Sequence, residues 1–225
     1  MQIPPLPDGT SIDDDGLWSQ VLRPFGADTA TPALFLDRDG VVVEEVHYLH
    51  KVEDIHIIDG AAAVVARANG LGLPVIMVTN QAGIGYGMYG WAEFMDVQDV
   101  ILNALAEDGA FFDGIYACPH HSKGQAPYNN PDHPARKPNP GMLLQAARQF
   151  PIDLKNSWIV GDRAGDVEAG RNAGLTGGIH VRTGHGAEDA ERDRALSLGT
   201  DRYRALEAAS IADALELIPL LAEEG

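Results

Sequence analysis

The sequence predicts an α/β fold, a three-layer Rossmann-like parallel sheet with helices on both faces. The main observation is that short apolar runs of strand length alternate with longer segments of helical periodicity between residues 33 and 221. Strands that alternate with helices are typical of βαβ units, in which helices cover both faces of a parallel sheet. The second observation is length, because 225 residues are enough for one sizeable α/β domain. We assign this domain to residues 32–225 and regard residues 1–31 as an N-terminal extension.

The strands are predicted from apolar runs that are bounded by turn residues. They lie at residues 33–37, 73–78, 111–117, 158–162 and 179–184, with an edge strand at 203–206. Pro74 is compatible with this assignment, because the missing N–H of a proline is tolerated at the start of a strand.

Helices are predicted between the strands, at residues 60–69, 91–108, 142–150, 166–174 and 210–221. Gly70 and Gly174 stand where two of these helices end, as is typical of helix C-termini. Ser210, with Asp213 three residues later, predicts the N-terminal cap of the last helix. The apolar stripe of the helix at 91–108 contains one polar residue, Gln98.

The extension of residues 1–31 is rich in proline and acidic residues, and it is expected to lie on the domain or to be partly mobile. Its apolar residues Trp18, Val21, Leu22 and Phe25 predict a short helix that packs against the domain.

Two longer connections are predicted to be loops. Residues 44–59 form a loop with a short hairpin, and the spacing of His47, His50 and His56 matches no compact metal site, which favours substrate-facing or solvated side chains. Residues 118–140 form a long loop whose prolines exclude regular structure, and loops of this length are usually functional or mobile. Residues 185–200 are expected to be a loop with one helical turn.

The composition limits the classes of partner. A net charge of −17 disfavours binding to nucleic acid and to anionic membrane surfaces, since both require a basic face. The single cysteine, Cys118, excludes an intramolecular disulfide. No apolar stretch approaches the roughly 20 residues that span a membrane, and the N-terminus has neither the basic nor the apolar region of a signal peptide. We therefore expect a cytoplasmic protein without nucleic-acid or membrane partners, with a monomer favoured.

Polar side chains follow the predicted strands at four places. They are Asp37 with Asp39, Thr79 with Asn80, Lys137, and Asp162 with Asp166. Because the carboxyl ends of parallel strands lie along one edge of a sheet, these side chains can meet in one cleft. The hydroxyl of Thr79, the amide of Asn80 and the glycine-rich turn after them suit a phosphate oxygen. The alternative is that Asp37 and Asp39 only cap a turn.

The chemistry of this set is that of phosphoryl transfer. A carboxylate such as Asp37 can attack phosphorus and form an aspartyl-phosphate. A cation such as Mg²⁺, held by Asp37, a carbonyl oxygen and Asp162, screens the repulsion between carboxylate and phosphate. Lys137 adds positive charge beside the transferred group, and Thr79 donates to it. Asp39 is placed to protonate the leaving oxygen and then to activate the hydrolytic water.

The four segments also carry a resemblance to known enzymes. They read Phe-Leu-Asp37-Arg-Asp39-Gly-Val, Val-Thr79-Asn-Gln, Arg-Lys137-Pro and Gly-Asp162-x-x-x-Asp166. In this order they resemble the four motifs of the haloacid dehalogenase superfamily of phosphatases, although each motif alone is a weak signal. The resemblance implies that Asp37 is the nucleophile, that Asp39 is the general acid and base, and that Mg²⁺ binds to Asp37, the Asp39 carbonyl and Asp162.

A narrower resemblance covers residues 33–184. The segments His47-Tyr48-Leu-His50, Cys118-Pro-His120-His121 and Arg136-Lys137-Pro-x-Pro-Gly-Met142 resemble the D-glycero-beta-D-manno-heptose 1,7-bisphosphate 7-phosphatases and the related histidinol phosphatases. This implies an enzyme without a large cap domain, in which loops shape the pocket and Arg136 contacts the substrate.

The function that this resemblance implies is removal of the 7-phosphate of D-glycero-D-manno-heptose 1,7-bisphosphate. Histidinol phosphate or another small sugar phosphate is the alternative substrate, and only substrate profiling separates them. A nucleic-acid 3′-phosphatase uses similar motifs, but the acidic charge weighs against it. A phosphate-binding protein with an inactive site is disfavoured, because Asp37, Asp39, Lys137 and Asp162 are all present.

The long loop departs from the pattern of this family. The relatives hold a structural Zn²⁺ through Cys-x-His and then Cys-x-Cys, whereas this chain has Cys118 and His120 followed by His133 and Ala135. Alanine cannot bind a metal, and a structural zinc site normally has four protein ligands. A zinc ion is therefore doubtful here unless His121 or Asp132 replaces the missing ligand.

Overall fold

The computed structural model describes residues 3–24, 26 and 29–222. These residues form an eight-stranded sheet with the strands β1 (Thr10–Ile12), β2 (Trp18–Val21), β3 (Leu34–Leu36), β4 (Val75–Asn80), β5 (Gly114–Cys118), β6 (Trp158–Gly161), β7 (Gly177–Val181) and β8 (Arg204–Ala208). The order across the sheet is β1-β2-β5-β4-β3-β6-β7-β8. The six strands from β3 to β8 are mutually parallel, which confirms the predicted α/β fold class.

The helices are α1 (Ala61–Gly70), α2 (Ala82–Gly85), α3 (Trp91–Glu107), α4 (Gly141–Gln149), α5 (Ala164–Ala173), α6 (Asp189–Leu196) and α7 (Ala214–Leu217). Single 3₁₀ turns lie at Val52–Asp54, Leu154–Asn156, Gly184–Ala187 and Ile211–Asp213. None of the helices in the described ranges is both long and apolar enough to cross a membrane.

The central strand β3 separates two hydrophobic cores, because successive side chains of a strand point to opposite faces. Leu34 and Leu36 belong to the core that is covered by α1 and α3. Phe35 belongs to the core on the other face, which is covered by α4 and α5. The sheet is therefore the middle of three layers, as predicted.

The N-terminal segment forms strands where the sequence predicted a short helix. Trp18 and Val21 lie in a strand, so the predicted short helix is wrong; Leu22 follows that strand, and Phe25 lies outside the described residues. β1 and β2 pair as an antiparallel hairpin, and β2 pairs antiparallel with β5. The physical reason is that β2 satisfies the hydrogen-bonding groups along the edge of β5, which would otherwise be exposed. Trp18 stacks on Trp91 with ring centroids 5.1 Å apart. The domain division at residue 31 stays a prediction.

Several helix ends differ from the predicted ones. The helix α1 includes Gly70, and the left-handed residue that follows it is Gly72, with φ of 71°. Gly174 ends α5 in the left-handed conformation, with φ of 81°, as predicted. Ser210 and Asp213 form the predicted capping box, but the last helix ends at Leu217 instead of residue 221. The segment 185–200 contains the eight-residue helix α6 in addition to a helical turn.

Candidate active site

The carboxyl ends of β3, β4 and β6 meet at one edge of the sheet, around a cavity of about 400 Å³. The chain leaves β3 through Asp37, whose N–H still donates to Val160 O of β6 (3.0 Å), and then turns at Gly40 with φ of 80°. Every residue predicted for the site lines this cavity: Asp37, Asp39, Thr79, Asn80, Arg136, Lys137 and Asp162. The prediction that these side chains share one cleft is therefore borne out by their positions.

The Lys137 ammonium group is buried among three acceptors. Its Nζ lies 2.9 Å from Asp37 Oδ1 and 2.6 Å from Asp166 Oδ1, and it donates to Val78 O at 2.8 Å. Burial would lower the pKa of Lys137, but the carboxylates of Asp166 and Asp37 raise it to about 12. The group therefore stays positively charged and fixes the Asp37 carboxylate at the end of β3.

Three buried carboxylates, those of Asp37, Asp162 and Asp166, have oxygen atoms within 4.8 Å of one another. The pKa of Asp37 is raised to about 7, chiefly by burial, with Lys137 opposing the rise and Asp166 adding to it. The pKa of Asp162 is raised to about 9, chiefly by burial and then by the charge of Asp37. Carboxylates that are buried this close together are stabilised as anions by a hard cation.

The space beside Asp162 is shaped by two glycines in the left-handed conformation. A Cβ atom on Gly40 would lie 2.4 Å from Asp162 Oδ2, and one on Gly184 would lie 2.5 Å from it. The backbone N–H of His185 donates to the same oxygen at 2.8 Å, which fixes the carboxylate. The all-oxygen donor set and this tight cradle fit a Mg²⁺ ion. Asp166 joins Asp37 and Asp162 here, and the Asp39 carbonyl as a ligand stays a prediction.

The Asp39 carboxylate is held by two neighbours that the sequence analysis did not select. Arg38 Nε and Nη2 each donate to both carboxylate oxygens at 2.9–3.1 Å. Gln81 Nε2 donates to Asp39 Oδ2 at 3.0 Å and to Thr79 Oγ1 at 2.9 Å. The position of Arg38 between two acids was the available signal, and sequence reasoning overlooked it.

The three residues predicted to bind substrate have different surroundings. Thr79 is buried at the end of β4, and its hydroxyl oxygen accepts the hydrogen bond from Gln81. Asn80 uses both ends of its amide on the backbone of Lys137, at 3.1 Å each. Arg136 Nη1 donates to His120 O at 2.7 Å, and the half-buried guanidinium lines the cavity. Their substrate contacts stay predictions.

Aromatic side chains form one wall of the cavity. Tyr48 packs edge-on against both His47 and Tyr86, and Tyr86 packs in the same way against His121. Tyr48 has φ of 58°, a strained conformation for a bulky residue, and His50 Nδ1 lies 2.7 Å from its carbonyl oxygen. His47 thus lines the cavity as expected.

Glu45 and His185 stand together at the rim of the cavity and were also missed. Their side chains approach to 3.5 Å. The pKa of Glu45 is raised to about 7, chiefly by burial and then by the charges of Asp39 and Asp37. This pair adds a group that can change its charge near neutral pH.

The long loop at 118–140 does not present a zinc site. Cys118 Sγ and His133 Nδ1 are 3.8 Å apart, and that nitrogen already accepts from the N–H of Ala135 at 3.1 Å. His120 Nε2 hydrogen-bonds to Asp15 O at 2.6 Å, and the rings of His120 and His133 stack at 3.9 Å. Their other ring nitrogens are buried without partners. Within the described part of the chain, only Asp37, Asp162 and Asp166 form a side-chain set compact enough for a metal, and the expectation about zinc in the loop stays a prediction.

Comparisons with known proteins agree with this geometry. The HAD-hydrolase-like family profile matches residues 134–209. The D-glycero-beta-D-manno-heptose-1,7-bisphosphate 7-phosphatase of Mesorhizobium japonicum is 41% identical over 167 residues, which cover 74% of this chain and 77% of that protein. The D-glycero-alpha-D-manno-heptose-1,7-bisphosphate 7-phosphatase of Photorhabdus laumondii is 39% identical over 163 residues, which cover 72% and 89%.

Solved structures share the fold. A HAD-like phosphatase from Mesorhizobium loti superposes with a TM-score of 0.79 and 34% identity, covering 94% of this chain and 97% of that one. The D,D-heptose 1,7-bisphosphate phosphatase from B. bronchiseptica, complexed with magnesium and phosphate, superposes with a TM-score of 0.69 and 28% identity, covering 85% and 100%.

Proposed function

The chain belongs to the haloacid dehalogenase-like hydrolases as a phosphatase, and we propose that it uses Mg²⁺ and an aspartyl-phosphate intermediate to remove the 7-phosphate of D-glycero-D-manno-heptose 1,7-bisphosphate. The observation that carries the proposal is the buried Lys137, paired with Asp37 and Asp166 beside Asp162. The names of the relatives at about 40% identity support the choice of substrate.

Asp37 is the proposed nucleophile because only one of its oxygens is engaged. Oδ1 accepts from Arg38 N at 2.7 Å and from Lys137 at 2.9 Å, and no hydrogen bond from the described residues reaches Oδ2. Oδ2 attacks the phosphorus, the bond from phosphorus to the ester oxygen breaks, and an aspartyl-phosphate forms. Lys137 fixes the carboxylate at the correct orientation and adds positive charge beside the phosphoryl oxygens.

Asp39 is the proposed general acid and base. In the first step its protonated carboxyl group gives the proton to the leaving alkoxide and becomes a carboxylate. In the second step it takes a proton from the water that attacks the aspartyl-phosphate, which releases inorganic phosphate and restores the Asp37 carboxylate. Its side chain is 18% exposed and lines the cavity, so it is open to a bound substrate and to water.

The residues that would hold Mg²⁺ are Asp37, Asp162 and the Asp39 carbonyl. A bound Mg²⁺ would offset the repulsion between the Asp37 carboxylate and the phosphate dianion. Asp162 is oriented for this role by the N–H of His185, and Asp166 keeps Lys137 in place.

The substrate-binding residues are proposed to be Thr79, Asn80 and Arg136. The Thr79 hydroxyl lines the cavity at the end of β4, where it is proposed to donate to a phosphate oxygen. Arg136 also lines the cavity, and its guanidinium has N–H groups besides the one that donates to His120 O. The aromatic wall that includes Tyr48 and Tyr86 is suited to the carbon chain of a sugar, since aromatic faces pack against apolar C–H surfaces.

The test is phosphate release with Mg²⁺ from heptose 1,7-bisphosphate, histidinol phosphate, a 3′-phosphorylated oligonucleotide and an aryl phosphate. We expect a strong preference for the heptose bisphosphate that is lost on chelation. Preference for histidinol phosphate would overturn the choice of substrate and leave the phosphatase chemistry intact. Asp37→Asn should abolish turnover while the circular dichroism spectrum is unchanged, and retained turnover would overturn the mechanism.

A further inference from the structure

The proposed mechanism gives no role to the guanidinium of Arg38, a buried charge next to the proposed nucleophile. The residue is 1% exposed at the end of β3, between the two acids of the first motif. Burying a guanidinium is unfavourable unless all its partners are in place, and an apolar residue at such a position is often as stable or more stable. Stability alone therefore does not account for an arginine here.

The contacts of Arg38 fix its plane on one side of Asp39. Nε and Nη2 face both carboxylate oxygens in a forked arrangement, at 2.9–3.1 Å. Nη1 donates to Gln98 Oε1 at 3.1 Å, and the guanidinium lies 5.7 Å from the ring centre of Phe94. The planar fork of an arginine gives a carboxylate a defined orientation that a lysine cannot give.

Arg38 is itself held in place by Gln98, a polar residue within the hydrophobic core. Gln98 is 2% exposed on the face of α3 that packs on the sheet, and its Nε2 lies 3.1 Å from Met77 Sδ. A buried glutamine on an apolar helix face is costly unless its hydrogen bonds are satisfied. Gln98 thus connects the position of the Arg38 guanidinium to the helix α3.

A second group holds Asp39 from the other side. Gln81 Nε2 donates to Asp39 Oδ2, and Tyr89 OH donates to Gln81 Oε1 at 2.5 Å. The 18% exposure of the Asp39 side chain leaves part of it open to the cavity. The carboxylate is therefore fixed in orientation but still accessible to a substrate.

We propose that Arg38 is a positioning residue for Asp39, which holds the carboxylate where it exchanges protons with the leaving oxygen and the attacking water. The proposal rests on the proposed role of Asp39 as general acid and base. Gln98 supports this function by fixing Arg38. Arg38 is 1% exposed and its guanidinium is engaged with Asp39 and Gln98, so we expect the loss of Arg38 to affect kcat and to leave KM unchanged.

The leaving group provides a readout that a purely structural role would not produce. An alkyl alkoxide needs a proton as it departs, whereas a nitrophenolate departs without one. We expect Arg38→Lys to reduce kcat for the heptose bisphosphate about 100-fold, which lies within the range of general acid–base catalysis. The same variant should reduce kcat for p-nitrophenyl phosphate only about 3-fold. The nitrophenolate leaves without a proton, so the variant impairs only the activation of the hydrolytic water.

The experiment compares four variants on both substrates with Mg²⁺, together with their melting temperatures. Asp39→Asn calibrates the loss of the acid, Arg38→Lys and Gln98→Leu test the positioning, and the exposed Arg202→Lys is the matched control. Gln98→Leu keeps both Arg38 and Asp39 and removes only the hydrogen bond by which Gln98 fixes the guanidinium, so it keeps the test valid if Arg38→Lys folds poorly. We expect it to show the same selective loss on the alkyl phosphate, to a smaller extent.

Two results would overturn the proposal. The first would exclude only the positioning role of Arg38, and the second would also exclude the acid–base role of Asp39. If Asp39→Asn loses activity selectively on the alkyl phosphate but Arg38→Lys and Gln98→Leu lose it equally on both substrates, Arg38 has only a structural role. If Asp39→Asn shows no selectivity for the leaving group, the acid–base assignment of Asp39 fails as well.

Discussion

Asn80 and Lys137 are joined by a pair of hydrogen bonds that link two distant parts of the chain. The Lys137 N–H donates to Asn80 Oδ1, and Asn80 Nδ2 donates to Lys137 O, both at 3.1 Å. Asn80 ends β4, so this pair attaches the end of the long loop to the sheet at the point where the ammonium group must enter. The contact explains how an irregular loop can place a charge with the precision of a strand.

The first prediction concerns this pair. Asn80→Ala should lower kcat about 10–100-fold, because small displacements of a positioned group reduce rates by such factors. The KM for the phosphorylated substrate should rise as well, because Asn80 is also proposed to bind the substrate, and an unchanged KM would leave only its role through Lys137. The exposed Asn156→Ala is the control, and an increase in KM without a fall in kcat would instead support direct substrate binding by Asn80.

The second prediction concerns the charge of Lys137. Lys137→Met leaves the buried carboxylates of Asp37 and Asp166 unpaired, and breaking a buried ion pair typically costs about 3–5 kcal/mol. Urea denaturation should show a loss of stability of this size, together with loss of phosphatase activity. Lys155→Met, at an exposed position, should change neither, and a stable Lys137→Met protein would show that the ion pairs do not stabilise the fold.

The third prediction concerns pH and metal. Without a cation, the folded-state pKa values of Asp37 and Asp162 are raised from 3.8 to about 7 and about 9. The folded state then binds more protons than the unfolded state at these two groups, so their contribution to stability is complete below pH 3.8 and is lost as pH rises through these two values. Because a metal binds deprotonated carboxylates, the stabilisation by Mg²⁺ should increase with pH.

The measurement is the increase in melting temperature that Mg²⁺ gives over chelator at pH 5.5 and pH 8, with Na⁺ at equal ionic strength as the control for screening. The increase should be larger at pH 8 and should be strongly reduced in Asp162→Asn. Equal increases at both pH values would contradict the assignment of Asp37 and Asp162 as ligands.

The fourth prediction concerns the N-terminal hairpin. Trp18 is 1% exposed and stacks on Trp91, and it also packs edge-on against Phe94. Trp18→Ala should therefore lower the free energy of unfolding by about 3–5 kcal/mol, as for other large aromatic truncations in cores. The exposed Val52→Ala serves as the control. A loss of less than about 1 kcal/mol would favour residues 1–31 as a separable extension, since surface changes are of that order.

The fold was largely predictable because each parallel strand carries its own signal. The runs ending at Asp37 and Asp162 are apolar throughout, as expected for strands buried on both faces. The strand β2 could not be recognised in this way. Its four residues are too few to distinguish a strand from a helix by periodicity, and its partner β5 lies almost 100 residues further along the chain.

The site residues were predictable where they directly follow a strand. They were not predictable where their role is to hold another site residue in place. Asp39 was identified by its position, but its partner Arg38 was not, since the sequence does not show which way that side chain turns. Gln98 was visible as the one polar residue in an apolar stripe, yet a stripe does not indicate the partner. His185 reaches the site through its backbone N–H, for which no residue type provides a signal.

The last prediction concerns zinc in the loop at 118–140. This loop lacks one of the ligands of its relatives, and its histidines make hydrogen bonds within the protein. Ala135 replaces a ligand, His133 Nδ1 is occupied by a backbone N–H, and His120 is bound by Asp15 O of the N-terminal segment. The loop is therefore expected to fold without metal. Protein purified without chelator should contain well below one equivalent of zinc, and a zinc-selective chelator in excess Mg²⁺ should leave the melting temperature unchanged.

The double variant His133→Cys, Ala135→Cys restores the ligand pattern of the relatives and is the matched comparison, since it should take up zinc and gain thermal stability. One equivalent of zinc in the unaltered protein would mean that the imidazole rings turn to bind metal and release the N-terminal segment.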